Sequence, residues 1–191
     1  MSRLCITPIA TPRSPSLDSR DATVIARELG ARGVRFERWD ASVPLSAAAT
    51  QADILAAYAA DVARLQATGP YSSCDVVRLA PDPADPEATR ARAAAARAKF
   101  LAEHTHAEDE VRFFVEGAGL FYLRLGADIC MVLCQQGDLL SVPAGTRHWF
   151  DMGTAPRFCA IRLFGNPDGW VAAFTGDDIA TRFPTFDELA A

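Results

Sequence analysis

The chain contains three histidines, and all of them lie in two short segments. His104 and His106 are separated by one residue, so in an extended segment both imidazoles point to one face, because side chains alternate along a strand. Glu110 has the same parity and joins that face if the backbone stays extended. His148 can reach the other three only from a neighbouring strand. These residues predict a metal site with three imidazole ligands and one carboxylate ligand.

Such a ligand set suits Fe, Ni, Mn or Zn and leaves positions open for a substrate. One His-x-His pair alone is a weak signal, and an acidic run such as residues 108–110 is usually a solvated turn. Cys130 and Cys134 share a parity and are an alternative pair of ligands. No histidine or further cysteine is left over to complete a site with them. The combination of the two histidine segments therefore carries the prediction.

Arg112 and Phe114 have the same parity as Glu110 and are candidates for the same pocket. If this face looks into a barrel, Arg112 is a buried cation that needs an anionic partner. The residues leave two interpretations open. One is a structural ion pair with Glu108 or Glu116, and the other is a substrate anion bound beside the metal.

Three more side chains are candidates for the pocket wall. Phe150 lies two residues beyond His148 and would face the same way. Arg162 lies in an apolar strand and is a second candidate for an inward-facing cation. Trp170 is also a candidate for substrate contact, although packing in the core is the simpler interpretation.

Glu103 and Asp109 flank the candidate ligands without sharing their parity. A metal-bound imidazole usually donates its other N–H to a carboxylate or a carbonyl. Either carboxylate therefore fits a supporting role behind a ligand. Solvation of both side chains is the alternative.

The sequence around the histidines has the pattern of a β-protein. Short apolar runs alternate with turn glycines, as in an antiparallel sandwich or barrel. The predicted strands are 111–116, 119–125, 128–134, 139–142, 147–151 and 157–164. Residues 117–119 read Gly-Ala-Gly and predict a hairpin turn.

The first hundred residues mix helices and strands. Periodicity predicts helices over 18–29, 50–67 and 87–101 and strands over 3–9, 33–39 and 74–79. A short helix is expected at 170–174, followed by an irregular tail. The Ala/Arg-rich segment 87–101 is interpreted as a helix with a solvated face, and anion binding by its arginines is the alternative. We expect one domain over 1–191, with a helical portion at about 18–101 packed on a barrel core at about 102–165.

Composition excludes several classes of protein. Half of the residues are hydrophobic, enough for a substantial core, and the net charge of −5 argues against nucleic acid or an acidic membrane as partner. No uncharged apolar stretch is long enough to span a membrane, and the N-terminus lacks the apolar region of a signal peptide. The five cysteines include no close pair. We therefore expect reduced thiols in a cytoplasmic protein.

The two histidine segments resemble the paired motifs of the cupin superfamily. The first motif covers residues 104–117, and the second contains Gly137, Pro143, Gly145 and His148. The second motif of cupins often ends in Asn, where this chain has Met152, but that position is not a ligand. Residues 103–117, Glu-His-Thr-His-Ala-Glu-Asp-Glu-Val-Arg-Phe-Phe-Val-Glu-Gly, look very like the acireductone dioxygenase family. Residues 33–39 and 174–180 extend this resemblance over most of the chain.

The resemblance implies a mainly β fold with flanking helices, a cupin-type antiparallel β-barrel (double-stranded β-helix or jelly roll). It assigns one Fe²⁺ or Ni²⁺ per monomer to a site whose ligands are His104, His106, Glu110 and His148. Arg112 would stabilise a substrate dianion. Glu103 and Asp109 would be supporting residues.

The implied reaction belongs to methionine salvage. The substrate would be the acireductone 1,2-dihydroxy-3-keto-5-methylthiopentene, cleaved with O₂. With Fe²⁺ the expected products are 2-keto-4-methylthiobutyrate and formate. With Ni²⁺ they are 3-methylthiopropionate, formate and carbon monoxide.

Two other classes of function remain open. One is a different metal cupin, either another dioxygenase or a sugar isomerase, because fold and metal do not fix function. The other is a non-enzymatic cupin that senses or stores a small molecule. Such proteins commonly lose one or more ligands, whereas all four are present here. The 103–117 block favours the dioxygenase.

Overall fold

The computed structural model describes residues 1–81, 84–166, 168 and 171–190. Eleven strands run through these residues: β1 Arg3–Pro8, β2 Leu17–Ser19, β3 Arg35–Arg38, β4 Ser73–Leu79, β5 His104–Thr105, β6 Glu110–Leu125, β7 Asp128–Gln135, β8 Asp138–Val142, β9 Arg147–Asp151, β10 Phe158–Phe164 and β11 Ala173–Phe174. The helices are α1 Ala22–Gly30, α2 Gln51–Ala57, α3 Ala59–Gln66, α4 Pro86–Phe100 and α5 Phe186–Ala190, with a 3₁₀ turn at Ile179–Arg182. None of the described helices is long and apolar enough to cross a membrane.

The strands form two antiparallel sheets that share β6. The first sheet has the order β11-β5-β9-β6-β7-β1-β2, and the second has the order β4-β10-β6-β8-β3. An apolar core that includes Phe114, Phe121 and Phe150 lies between them. The prediction of a mainly antiparallel β fold with flanking helices is therefore confirmed.

Strand β6 is one continuous strand of 16 residues, so the hairpin turn predicted at 117–119 is wrong. Its first half pairs with β8 and β10, and its second half pairs with β7 and β9. Gly117 has φ +65°, and a Cβ there would lie 1.8 Å from the carbonyl oxygen of Arg157. The glycine therefore allows one strand to cross from the second sheet to the first, at a point where a side chain would not fit.

The predicted helix over 50–67 is two helices, α2 and α3, which meet at Tyr58. The Tyr58 ring is buried and packs edge-on against Phe113, 5.6 Å between ring centroids, and its hydroxyl donates to the carbonyl of Val43. The break between α2 and α3 therefore lies where Tyr58 packs against the second sheet. The first helix also starts later than expected, because residues 17–19 form β2 and the side chain of Asp21 caps α1.

The sheets also include strands from the first hundred residues. β1 joins the first sheet, and β3 and β4 form the edges of the second. The sheets thus include strands on both sides of the division predicted near residue 102, and that division stays a prediction. At the other end, the helix predicted at 170–174 is wrong at Ala173–Phe174, which form β11 beside β5. The tail contains the 3₁₀ turn and α5 and is not irregular throughout.

Candidate metal centre

Strand pairing brings the two histidine segments together. β5 lies beside β9, with His104 opposite His148, and the chain then turns through His106 into β6, which begins at Glu110. The ring centroids of the three histidines are 4.5 to 5.3 Å apart. One nitrogen from each ring lies within 4.8 Å of the others, and all three side chains are buried. This cluster can hold a metal ion.

Each imidazole is oriented by a backbone carbonyl behind it. The Nδ1 atom of His104 lies 2.7 Å from the oxygen of Ala102, and that of His148 lies 2.7 Å from the oxygen of Thr146. The Nδ1 atom of His106 lies 3.0 Å from the oxygen of Val171. A carbonyl oxygen only accepts, so each Nδ1 carries the proton and each Nε2 presents a lone pair. This is the arrangement that metal-binding histidines need.

Glu110 faces these lone pairs. Its Oε2 lies 3.0 Å from Nε2 of His148 and 3.7 Å from Nε2 of His106. Oε2 of Glu110 and Nε2 of His148 are buried, and neither has a hydrogen-bond partner among the residues that the structure describes. Two buried acceptors that point at each other without a donor are costly, and a cation between them would satisfy both. The residues therefore fit a divalent ion.

Charge and burial set the protonation of the site. Burial lowers the pKa of His104 to about 4 and also lowers the pKa of His106, which keeps both rings neutral at pH 7. Burial alone would raise the pKa of Glu110, but the positive charge of Arg112 and contacts with His148 hold that pKa well below its usual range. At neutral pH the site thus offers the carboxylate of Glu110 and the neutral imidazoles of His104 and His106.

Arg112 is buried beside the cluster. Its Nε donates to Oε1 of Glu110 at 2.6 Å, and its guanidinium lies over the rings of Phe121 and Phe150, 5.0 and 4.8 Å from their centroids. Its ion-pair partner is therefore Glu110 and not Glu108 or Glu116. Among the described residues, no other hydrogen bond is made by its guanidinium. Burial lowers the pKa of Arg112 from its usual value.

A cavity of about 170 Å³ opens beside the histidines. Arg112, Arg162 and Lys99 are the charged residues of its lining. The apolar lining comes from β4, the end of α4 and the segment around β11: Val77, Phe100, Ala172 and Phe174, with His104 and His106 at the metal site. Val77, Phe100 and Phe174 were not predicted as pocket residues, because their positions depend on how distant segments pack and no motif marks them.

The candidates for the pocket wall are not equivalent in the structure. Phe114 and Phe150 both pack in the core against Phe121 and Phe158, and neither lines the cavity. Phe150 also contacts Arg112. Arg162 lies on β10 opposite Arg112, lines the cavity, and is held by Asp75 through two hydrogen bonds of 2.8 and 2.6 Å. Trp170 lies outside the described residues.

Glu103 and Asp109 each bond to groups other than an imidazole. Glu103 is buried and accepts hydrogen bonds from Arg124 at 3.2 Å and from the Thr175 hydroxyl at 2.7 Å. It therefore fastens the segment that follows β11. Asp109 is exposed and accepts from the backbone N–H of Ala144 at 2.9 Å, which links the two histidine segments. Their supporting roles stay predictions.

Acid should destabilise the metal-free protein between pH 6.5 and 4. The neutral His104 ring of the folded state has a pKa of about 4, so in this interval the unfolded chain binds more protons. Stability present above pH 6.5 is then lost as the pH falls, by up to about 3 kcal/mol at about 1.4 kcal/mol per pKa unit. Glu110 adds to the loss below pH 4.5. Urea unfolding with a chelator at successive pH values measures this slope. His104→Leu should flatten it, and equal slopes in the two proteins would contradict the assignment.

Comparisons with known proteins agree with this geometry. The ARD/ARD′ family model matches residues 13–172. An acireductone dioxygenase of Parvibaculum lavamentivorans is 56% identical over 187 residues, 98% of each chain. One of Prochlorococcus marinus (strain MIT 9303) is 55% identical over 188 residues, 96% of this chain and 98% of the relative.

A solved structure supports the same relationship. It is an acireductone dioxygenase from Bacillus anthracis with a cadmium ion in its active centre, with a TM-score of 0.76 and 27% identity. The match covers 91% of this chain and 98% of that one. The predicted cupin fold is thereby confirmed.

Proposed function

The chain belongs to the acireductone dioxygenase (ARD/ARD′) family, and we propose that it cleaves the acireductone 1,2-dihydroxy-3-keto-5-methylthiopentene with O₂ in methionine salvage. With Fe²⁺ the products are 2-keto-4-methylthiobutyrate and formate. With Ni²⁺ they are 3-methylthiopropionate, formate and carbon monoxide. The observation that supports this most directly is the cluster of three histidines and Glu110 beside a cavity lined by Arg112.

We propose His104, His106, Glu110 and His148 as the ligands of one Fe²⁺ or Ni²⁺ ion per chain. Nitrogen and carboxylate ligands suit both ions. The facing acceptors of Glu110 and His148 are 3.0 Å apart and have no donor in the described part of the chain, which supports a cation at this point. When bound, the ion would act as a Lewis acid with open positions for two oxygens of an enediolate.

Arg112 is the residue proposed to offset the charge of the substrate. Its Nε is bound to Glu110, and the side chain lines the cavity. The site is buried, so this charge interacts with an anion more strongly than it would in water. The rings of Phe121 and Phe150 flank the guanidinium and keep its orientation fixed. A dianionic substrate would therefore meet a preorganised cation.

The apolar part of the cavity matches the rest of this substrate. Val77, Phe100, Ala172 and Phe174 offer a surface for a methylthio chain, and Arg112 and Arg162 offer positive charge to an anionic group. A lining that combines both suits a molecule that is anionic at one end and apolar at the other. A sugar, which carries hydroxyls along its whole length, fits such a lining less well.

The five cysteines are free, and burial raises the pKa of every thiol. The pKa is about 11 for four of them, Cys5, Cys74, Cys130 and Cys159, and well above its usual value for Cys134. They behave as inert apolar side chains, which suits a reducing compartment. We propose a cytoplasmic enzyme that acts as a monomer. Gel filtration at micromolar protein concentration tests whether the protein is a monomer.

The reaction is tested on protein reconstituted with a single metal. Anaerobic addition of the acireductone to the Fe²⁺ form, followed by O₂, should give equimolar formate and keto acid. The Ni²⁺ form should give carbon monoxide. Metal bound without any uptake of O₂ would reject this substrate and favour another reaction of a metal cupin. Failure of the protein to bind metal under any condition would show that it is not a metal-dependent enzyme.

A further inference from the structure

Helix α4 is held to the barrel by few apolar contacts. Over Pro86–Phe100 only Ala93 is buried, and most of the other residues are exposed, including several alanines and arginines. Ala96 and Phe100 are partly buried against the core between the sheets. A helix with so narrow an apolar face gains little from burial, so its position relative to the barrel must depend on specific polar contacts.

One ion pair supplies such a contact. Arg97 donates from Nε and Nη2 to the two carboxylate oxygens of Asp151 at 2.7 and 2.9 Å. The Asp151 side chain is fully buried, and it also accepts the backbone N–H groups of Gly153 and Phe186, both at 2.9 Å. A charge buried in this way is stabilised only with its partners in place. The carboxylate therefore fixes α4, β9 and the start of α5 to one another.

Both residues of this ion pair are close in sequence to residues of the metal centre or its cavity. Phe100 follows Arg97 by one turn and lines the cavity, and the next residues bring the Ala102 carbonyl to Nδ1 of His104. Asp151 follows His148 by three residues on β9. The pair thus connects the two histidine-bearing segments, although neither Arg97 nor Asp151 lines the cavity.

We propose that the Arg97–Asp151 ion pair is a positioning device for substrate binding, which holds α4 so that Phe100 completes the wall of the cavity. The proposal rests on the proposed function for the identity of the substrate. Metal binding does not depend on this pair, because the pairing of β5, β6 and β9 places the histidines. Loss of the pair should therefore weaken substrate binding and leave the metal site intact.

The first test compares Arg97→Met with Arg92→Met, an exposed arginine of the same helix. We expect Arg97→Met to raise KM for the acireductone by about tenfold and to change kcat by less than about twofold, as for a loss of binding alone. Metal content should equal that of the wild type. Arg92→Met should match the wild type in all three quantities. Arg97→Lys, which keeps one charged hydrogen bond, should give an intermediate KM.

Removal of Arg97 alone leaves Asp151 buried without its counter-charge, which can unfold the protein. The double variant Arg97→Met/Asp151→Asn removes both charges and should show the same rise in KM. Wild-type KM in the double variant would overturn the proposal. Loss of metal from the double variant would also overturn it, because the pair would then act on the ligands.

Hydrogen exchange gives a readout that does not need the substrate. Backbone amides of residues 98–103 should exchange faster in Arg97→Met than in Arg92→Met. Equal rates would overturn the positioning role even if the enzyme is active. If the wild type does not consume the acireductone, the proposed function fails, and the exchange rates still decide whether the ion pair fixes the end of α4.

Discussion

His148→Ala should remove most of the bound metal while the barrel stays folded. The variant loses the Nε2 atom that faces Oε2 of Glu110 at 3.0 Å. β9 still pairs with β5 and β6 through backbone hydrogen bonds, so the fold does not depend on the ring. Outer-shell partners of a metal ligand are typically worth 10- to 100-fold in activity or affinity, and we expect the loss of a ligand to exceed about 100-fold.

Metal analysis after dialysis, circular dichroism and turnover of the acireductone measure the effect of His148→Ala. The matched control is Arg147→Ala, an exposed neighbour on the same strand, which should keep its metal and its activity. Full metal occupancy in the His148 variant would show that this histidine is not a ligand. Loss of metal from both variants would point to disturbance of β9 in general.

Arg112→Met should separate metal binding from turnover. The methionine fills a similar volume, and Glu110 and the histidines remain. Removal of one preorganised charge from an active site costs about 10²- to 10³-fold in rate, and we expect kcat/KM to fall by that amount. The absorption spectrum of substrate added without O₂ should no longer show the dianion.

The same substitution should destabilise the metal-free protein. Glu110 would keep its buried charge without the guanidinium 2.6 Å away, and breaking such a pair typically costs about 3–5 kcal/mol. Added Ni²⁺ should recover much of that stability in urea unfolding, because a cation then faces Glu110. The control is Arg35→Met, which breaks a half-exposed ion pair with Glu37. It should change neither the stability of the metal-free protein nor the stability gained with Ni²⁺ by much. Normal turnover by Arg112→Met would leave Arg112 with a structural role only.

The sequence predicted the parts of this fold that depend on local pattern. Alternation identified most strands of both sheets to within a few residues, but it missed β2 and β11. The parity of His104 and His106 predicted a shared face, whereas Glu110 joins them after a bend at residues 107–108. Local pattern failed where tertiary contacts decide the conformation. Gly117 looks like a hairpin residue, but the carbonyl of Arg157 beside it shows a strand that changes sheets. Tyr58 fits a helical stripe, but α2 ends where its ring packs on Phe113.

The cluster of candidate ligands was predictable from the sequence, and the residues around it were not. The three histidines were distinctive because the chain has no others. For a structural ion pair of Arg112 the sequence suggested Glu108 or Glu116, and the structure shows Glu110 instead. Parity alone cannot show that a residue two positions away in the same strand is within reach. Val77, Phe100 and Phe174 come from three separate elements, and only the folded chain brings them to one cavity.

The carbonyls behind the three imidazoles have a consequence for the competition between metals. Ring rotation is already restricted in the folded chain, so an arriving ion does not have to order these side chains again. A set of ligands that is ready for any ion of suitable size discriminates little by shape. Affinity should then follow the general order for divalent ions, in which Ni²⁺ exceeds Fe²⁺. At equal free concentrations nickel would occupy this protein, and an iron form requires a cell that keeps free iron in excess.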